Sequence, residues 1–458
     1  AGPVLTSWIM SLKWLVFKRT KIGFWREVVK ATETYVSPPL DEYERPGDVP
    51  IIKVNRIVAN PSTLKTQLSA DRMKNSLFGQ MKRNTSSWGD SAWRRSYVDI
   101  QDAGQERAFV VKFIGEGVDD HGGPYRAVFE TAAYEEPSTV LGLLKPCPNS
   151  TQANSVNRDK VVFDTDNLSV ARLRDVSFLG KLVGLACRHS LMVPLNLPSL
   201  VWKPLVGLPV DRKDLRAVDM GIDDMLRSVE RLTPDQVAEL DPTDLQNALH
   251  QSCVMKVGTD GLMHEEPLSP ANRAEFIRQV EHRHLEAMNP VLTAFLTGLG
   301  TAVPAPFLPL FTPEELEVLL CGKPEIDIEL LKKVTEYDTA TEGVTEKAPH
   351  IQYFWAALEQ MDQAQRANFI NFVSARSRLP NSVDEFPMNF KIQGPKPGAK
   401  NEPDKHLPSS QTCFFTLSLP FYSSQQVCYQ RLLYAIENAT TMDDDFTNRE
   451  EWGSGGGS

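Results

Sequence analysis

Two well-patterned stretches of this chain are separated by a short polar one, and that interruption constrains the architecture more than any single residue does. Residues Thr339 to Pro349 are polar, carry one glycine and show no apolar periodicity, whereas amphipathic helices and short strand-like runs fill the sequence on either side. A segment of this kind reads as a linker, so two lobes are expected, with a hinge at residues 339–348. The 458 residues would accommodate about three domains. An apolar fraction of 41% and a charged fraction of 24% are ordinary globular values, so a buried core is expected.

Before the polar segment, residues 4 to about 36 read as a helix and Ile51 to Val58 as a strand. Residues 61 to 83 read as a helix, Ala108–Phe113 as a strand entering a glycine-rich turn, and Tyr125 to Tyr134 as a helix. Arg172 to Ser190 is helical and apolar on most sides, with Gly180 and Gly184 spaced for close helix approach. Asp219 to Leu249 is helical with breaks at Thr233–Pro234 and Asp241–Pro242, and Pro270 to Leu299 forms one long amphipathic helix. Thr312, Pro313 and Glu315 make a helix start with a capping box. After the polar segment come helices at His350–Met361 and Asp362–Ala375, then a loop-rich region. Alternation from Phe415 to Leu419 marks a strand, and a helix runs from Ser423 to Thr440. No repeat of fixed period appears.

Several functions are disfavoured. A formal charge of −10 argues against a nucleic-acid partner. Six scattered cysteines with no C-x-x-C pair fit a reduced, cytoplasmic protein better than a disulfide framework. His282 and His284, two apart on a helix, face different ways, so no metal site is expected. The apolar run Val4 to Phe17 is broken by Lys13 and is too short to span a membrane, so no transmembrane segment is expected. Its basic flank follows it, unlike a signal peptide. Residues 1–3 resemble a protease-cleavage scar and residues 453–458 a linker remnant, which suggests a piece cut from a longer chain.

Cys413 lies between the loop Lys405–Thr412 and a strand expected to begin at Phe414, where a thiol is accessible enough to act as a nucleophile. Cys187, Cys321 and Cys428 sit among helical apolar residues and read as buried. The glycines from Gly115 to Gly123 lie beside Glu116, Asp119 and Asp120, which would repel a phosphate, so a structural turn is expected.

The segment Leu407-Pro408-Ser409-Ser410-Gln411-Thr412-Cys413-Phe414, continuing to Pro420-Phe421-Tyr422-Ser423, resembles the catalytic segment of HECT ubiquitin ligases. Phe113 to Arg126 looks like the opening of that family's amino-terminal lobe. Agreement continues at Phe178–Gly184, at Glu315–Glu317 with Cys321–Gly322, and at Phe354–Trp355. The matches are collinear between residues 99 and 440, and the wording around Gly115 to Glu136 looks most like the giant HERC-type members.

This resemblance implies a bilobal α+β fold: an N-terminal helical extension at 4–98, an amino-terminal lobe at 99–338, the hinge, and a smaller α/β lobe at 349–452. It implies a thioester relay needing no cofactor, in which a ubiquitin-conjugating enzyme passes ubiquitin to Cys413 and a lysine of a protein substrate then receives it. His406, seven residues before Cys413, could lower the thiol pKa if the loop folds back, although a solvated loop histidine is the favoured reading. Leu407, Pro408, Thr412 and Phe414 would shape the catalytic loop, with Thr412 and Phe414 anchoring the strand. The conjugating enzyme would dock within roughly 219–300, with Met225, Leu226, Val229, Leu240, Leu245 and Leu249 offering apolar anchors, although helix-core packing is the plainer reading of each taken singly. Asp443, Asp444, Asp445 and Phe446 would help place the acceptor lysine, although the three aspartates equally suit a solvated terminus.

Overall fold

The computed structural model describes residues 11–36, 47, 49–98, 105–116, 123–257, 262–374, 376–380, 382–386, 388–396, 399 and 401–438, with the backbone alone at Cys413. In chain order, α1 is Lys18–Ala31, β1 Ile51–Val54, α2 Leu77–Asn84, β2 Val110–Phe113 and α3 Gly123–Glu130. Then follow α4 Val170–Arg188, α5 Met220–Arg231, α6 Pro242–Leu249, the strands β3 Cys253–Val257 and β4 Met263–Pro267, α7 Arg273–Glu286 and α8 Asn289–Ala302. The remainder comprises α9 Pro313–Cys321, α10 Ile328–Lys333, β5 Thr335–Tyr337, α11 Pro349–Gln360, α12 Gln363–Ser374, β6 Phe390–Gln393, β7 Ser409–Gln411, β8 Thr416–Ser418 and α13 Gln425–Asn438.

Two compact units are formed by the described residues. The first draws on Ala1–Ala31, Pro137–Gly184 and Leu195–Glu317; the second on Thr32–Glu136, Leu185–Pro194 and Val318–Ser458.

In the first unit, α1 buries Trp25 edge-on against Phe311, with ring centroids 5.7 Å apart. The buried Lys21 ammonium meets Glu315 at 2.6 Å. That carboxylate also accepts the Thr312 N–H at 2.9 Å while Thr312 Oγ1 accepts the Glu315 N–H at 3.2 Å, so the expected capping box forms and carries an ion pair as well. Gly180 and Gly298 explain one another: a Cβ on Gly180 would lie 2.1 Å from the Phe295 carbonyl oxygen, and one on Gly298 would lie 1.8 Å from that of Ser177. Backbone meets backbone there, as the glycine spacing in α4 suggests. A separate small core holds Leu226, Val229, Leu245, Leu249, Val254, Phe276 and Val280 from α5, α6, β3 and α7. The single helix expected over 270–299 is two, α7 and α8. Pro290, in the first turn of α8, lacks the N–H that a continuous helix would use.

The second unit opens with β1 parallel to β2, Ile51 opposite Val110. Residues 51–54 are therefore part of the same sheet as 110–113, and Tyr97–Val98 pairs with Glu106–Arg107. The boundary expected at 98/99 cuts through this pairing, so 32–98 is integral rather than an extension. The helix expected over 61–83 is broken into three: Leu68 is extended (ψ 153°), and Ser76 leaves the helical region (ψ 151°) and caps α2 by accepting the Gly79 N–H at 3.0 Å. Glu136, fully buried, accepts the Leu77 and Phe78 N–H groups at 2.7 Å each, and burial pushes its carboxyl up to about 7.

A four-stranded sheet in the order β7-β8-β6-β5 completes the second unit, with α11, α12 and α13 supplying Phe354, Leu358, Phe369 and Leu432 to the core behind Phe390 and Leu417. β5 lies parallel to β6, and Ile328, Leu331 and Val334 share that core. The module thus begins by Ile326, and the segment 339–348 lies inside it. Val344 is buried there, beside a Gly394 whose added Cβ would collide with Thr341. The buried Val344 is a feature that the polar surroundings of 339–348, read as a hinge from sequence, do not show.

Candidate active site

Cys413 sits in the 3-10 turn Thr412–Phe414, which joins β7 to β8. The two strands are antiparallel, with Gln411 opposite Thr416 and Ser409 opposite Ser418, so the cysteine is at the tip of a hairpin rather than at the start of a strand. The strand begins two residues later than expected. Between turn and strand, Phe415 adopts the left-handed region at φ 48°, an uncommon conformation for a bulky residue. Packing holds it there. Its ring is buried 5.0 Å from that of Phe390, and its carbonyl accepts the Lys391 N–H at 2.9 Å. The anchoring aromatic is therefore Phe415, while Phe414, expected to anchor, is 48% exposed. The left-handed residue changes which way successive side chains point.

The loop before the turn is tied down by its neighbours. The Tyr422 hydroxyl donates to the His406 carbonyl at 2.9 Å, and Asp404 accepts both the N–H and the hydroxyl of Ser423, at 2.9 and 2.6 Å. Those two bonds hold the Asp404 carboxyl below the usual carboxylate range. The His406 side chain is exposed, Leu407 is exposed and Pro408 is buried. Thr412 is half-buried, and its carbonyl accepts a hydrogen bond from the Arg126 guanidinium. Arg126 ends the amino-terminal motif but has no role that sequence reveals, because 286 residues separate it from Thr412.

A family model described as "HECT-domain (ubiquitin-transferase)" matches residues 134–444, the region that contains this hairpin. The chain belongs to the HECT family. It is 31% identical over 439 residues to the E3 ubiquitin-protein ligase HERC2 of Homo sapiens, covering 95% of this chain and 8% of that protein. It is 29% identical to the probable E3 ubiquitin-protein ligase HECTD4 of Homo sapiens, covering 72% of this chain and 9% of the other. It is also 29% identical to the E3 ubiquitin-protein ligase HACE1 of Danio rerio, covering 76% and 38%. The chain thus spans less than a tenth of the first two relatives.

Elsewhere in this HECT chain the expected docking residues divide. Leu226, Val229, Leu245 and Leu249 are core residues of the small subdomain, Leu240 packs half-buried against them, and only Met225, 41% exposed, faces solvent. Helical spacing identifies an apolar face, and in α5 and α6 that face is spent on the core. Exposed apolar surface lies instead at the end of the β3–β4 hairpin where the chain crosses from one strand to the other. Val257, 69% exposed, stands opposite Met263, 57% exposed, with Leu262 beside them. That hairpin was not legible, since its β4 strand reads Met-His-Glu-Glu-Pro. Asp443, Asp444, Asp445 and Phe446 lie outside the described residues.

Among the described residues no group of His, Cys, Asp and Glu could hold a metal ion, and no helix is long and apolar enough to cross a membrane. Cys147, Cys187, Cys321 and Cys428 are buried, with burial pushing the Cys428 thiol up to about 12.

Proposed function

We propose that this chain is the catalytic module of a HECT-type ubiquitin-protein ligase that carries ubiquitin as a thioester on Cys413 before passing it to a substrate lysine. The supporting observation is the placement of Cys413 on a braced hairpin turn within the family-matched region. The Cys413 thiolate adds to the thioester carbonyl of a charged ubiquitin-conjugating enzyme, the old C–S bond breaks, and the enzyme's thiolate leaves. Exchange of one thiolate for another is nearly isoenergetic, so positioning matters more than a strong base. A substrate amine then adds to the Cys413 thioester carbonyl, the C–S bond breaks, the Cys413 thiolate leaves and the proton lost by the nitrogen passes to that thiolate or to solvent.

On this reading the conjugating enzyme docks at Val257, Leu262 and Met263, with Met225 as a further anchor. The swivel that lets Cys413 meet donor and acceptor belongs between α9 and α10, near Gly322 to Glu325, in place of 339–348. Proline substitutions at Lys323 and Glu325 should slow transfer at unchanged stability, and equal rates would count against that swivel. Membership of the HERC group is favoured by similarity to HERC2 over 95% of the chain. A cytoplasmic location suits a ligase whose chemistry needs a reduced thiol.

The test is incubation with charged conjugating enzymes and a search for a ubiquitin adduct that thiols reverse and that is absent from Cys413→Ala. Release of free ubiquitin would instead indicate a cysteine hydrolase using His406. No adduct with any conjugating enzyme would indicate a scaffold. The exposed His406 side chain, held only through its backbone, favours the ligase over the hydrolase.

A further inference from the structure

The turn that carries Cys413 rests on a buried arginine cluster that the relay described above leaves unused. Arg126, on α3, donates through Nη2 to the Thr412 carbonyl, the oxygen of the peptide that links Thr412 to Cys413. Its Nε donates to the Ser374 carbonyl at 3.2 Å and its Nη1 to Gln105 Oε1 at 3.4 Å. Arg376 reaches the same Gln105 oxygen through Nη2 at 3.2 Å. The Gln105 amide nitrogen donates to the Glu106 and His189 carbonyls, at 2.8 and 3.2 Å, so its oxygen is turned toward the arginines. Two cations thus share one neutral acceptor.

That arrangement is costly unless something negative comes near. The Arg376 Nε is buried without a hydrogen-bond partner, and burial together with the Arg126 charge lowers the Arg376 pKa to about 9. The counter-charge is weak: burial pushes the Glu130 carboxyl up to about 7, against a hydrogen bond from Ser377 and the nearby Arg378. Among the described residues the charged groups around the turn include Arg126 and Glu130 from α3, with Glu135 acting on Glu130, and Arg376 and Arg378 from the segment after α12, while Lys391 of β6 stands opposite Thr416. The cations outnumber the carboxylates in this set, and a thiolate is stabilised by a positive field.

Resting on the ligase reading, we propose that Arg126 is a positioning residue for ubiquitin transfer. It fixes the peptide that carries Cys413 and, with Arg376, supplies the positive field that favours the thiolate and the oxyanion of the tetrahedral intermediate. Charge balances throughout: a thiolate adds, the negative charge passes to the carbonyl oxygen, and a thiolate leaves.

The test compares Arg126→Gln and Arg126→Lys in the 458-residue chain. Cys253, the half-buried cysteine, is replaced by serine in every sample. Transfer from a conjugating enzyme charged with fluorescent ubiquitin is followed, together with the pH midpoint of iodoacetamide alkylation at Cys413. In Arg126→Gln the rate should fall about tenfold or more at an unchanged half-saturating enzyme concentration, and the alkylation midpoint should rise by about one pH unit. Arg126→Lys keeps the charge but loses the planar fork, so it should restore the midpoint and remain slow. A folded Arg126→Gln with a transfer rate within about twofold of the parent, or with an unmoved midpoint, overturns the proposal. Should Arg126→Gln not fold, Arg126→Lys decides: slow transfer supports the role and the parent rate overturns it. If the parent chain forms no adduct, the ligase reading fails, and the alkylation midpoint still tests Arg126.

Discussion

The hairpins β3–β4 and β7–β8 share antiparallel pairing but have opposite surroundings. In β8 every residue is buried, the turn is capped by the buried Phe415, and a guanidinium holds the peptide before Cys413. The β3–β4 hairpin buries Val254 but leaves Val257, Leu262 and Met263 in solvent at the end where its strands are joined. A residue that must present a reacting atom gains from a scaffold that removes its freedom. A surface that must accept another protein gains from apolar groups left uncovered. The difference predicts that substitutions in the β7–β8 hairpin cost stability, whereas substitutions in the β3–β4 hairpin cost binding.

The largest effect is expected at Phe415→Ala, which removes a buried ring and the packing that holds a left-handed residue. Urea unfolding should show a loss of about 3–5 kcal/mol. A loss below about 1 kcal/mol would mean the turn is not braced in this way. Next, the pair Val257→Asp and Met263→Asp should raise the half-saturating concentration of charged conjugating enzyme about tenfold, or about 1.4 kcal/mol, and leave the melting temperature unchanged. A lower melting temperature with unaltered saturation would invert the contrast between the hairpins. Tyr422→Phe, which deprives the His406 carbonyl of its donor, should cost about 1 kcal/mol in the same unfolding experiment. The smallest effect belongs to His406→Ala. With the imidazole exposed, transfer should change by less than about twofold, and a pH-rate profile that shifts on this substitution would restore His406 as a helper.

Much of this was legible in the sequence because it depends on neighbours along the chain. The capping box at Thr312 and Glu315 and the breaks at Pro234 and Pro242 follow from local backbone chemistry. The glycines of α4 did as well, since absent side chains mark close approach before the partner helix is known. What failed was any judgement that needed to know which side of an element is covered. Leu226 and Leu245 read as docking anchors and are core. Val344 read as part of a linker and is buried, and Phe414 read as an anchor while Phe415 fills that place.

By itself the sequence determined the family and most of the helices, because a run of residue types at fixed spacing carries that information without distance. Only the tertiary structure decided that Cys413 rides a hairpin tip, that residues 326–337 belong to its module, and that Arg126 meets Thr412. Each of these joins positions far apart in the chain, and such a pairing is set by the packing of whole elements, which no local pattern encodes.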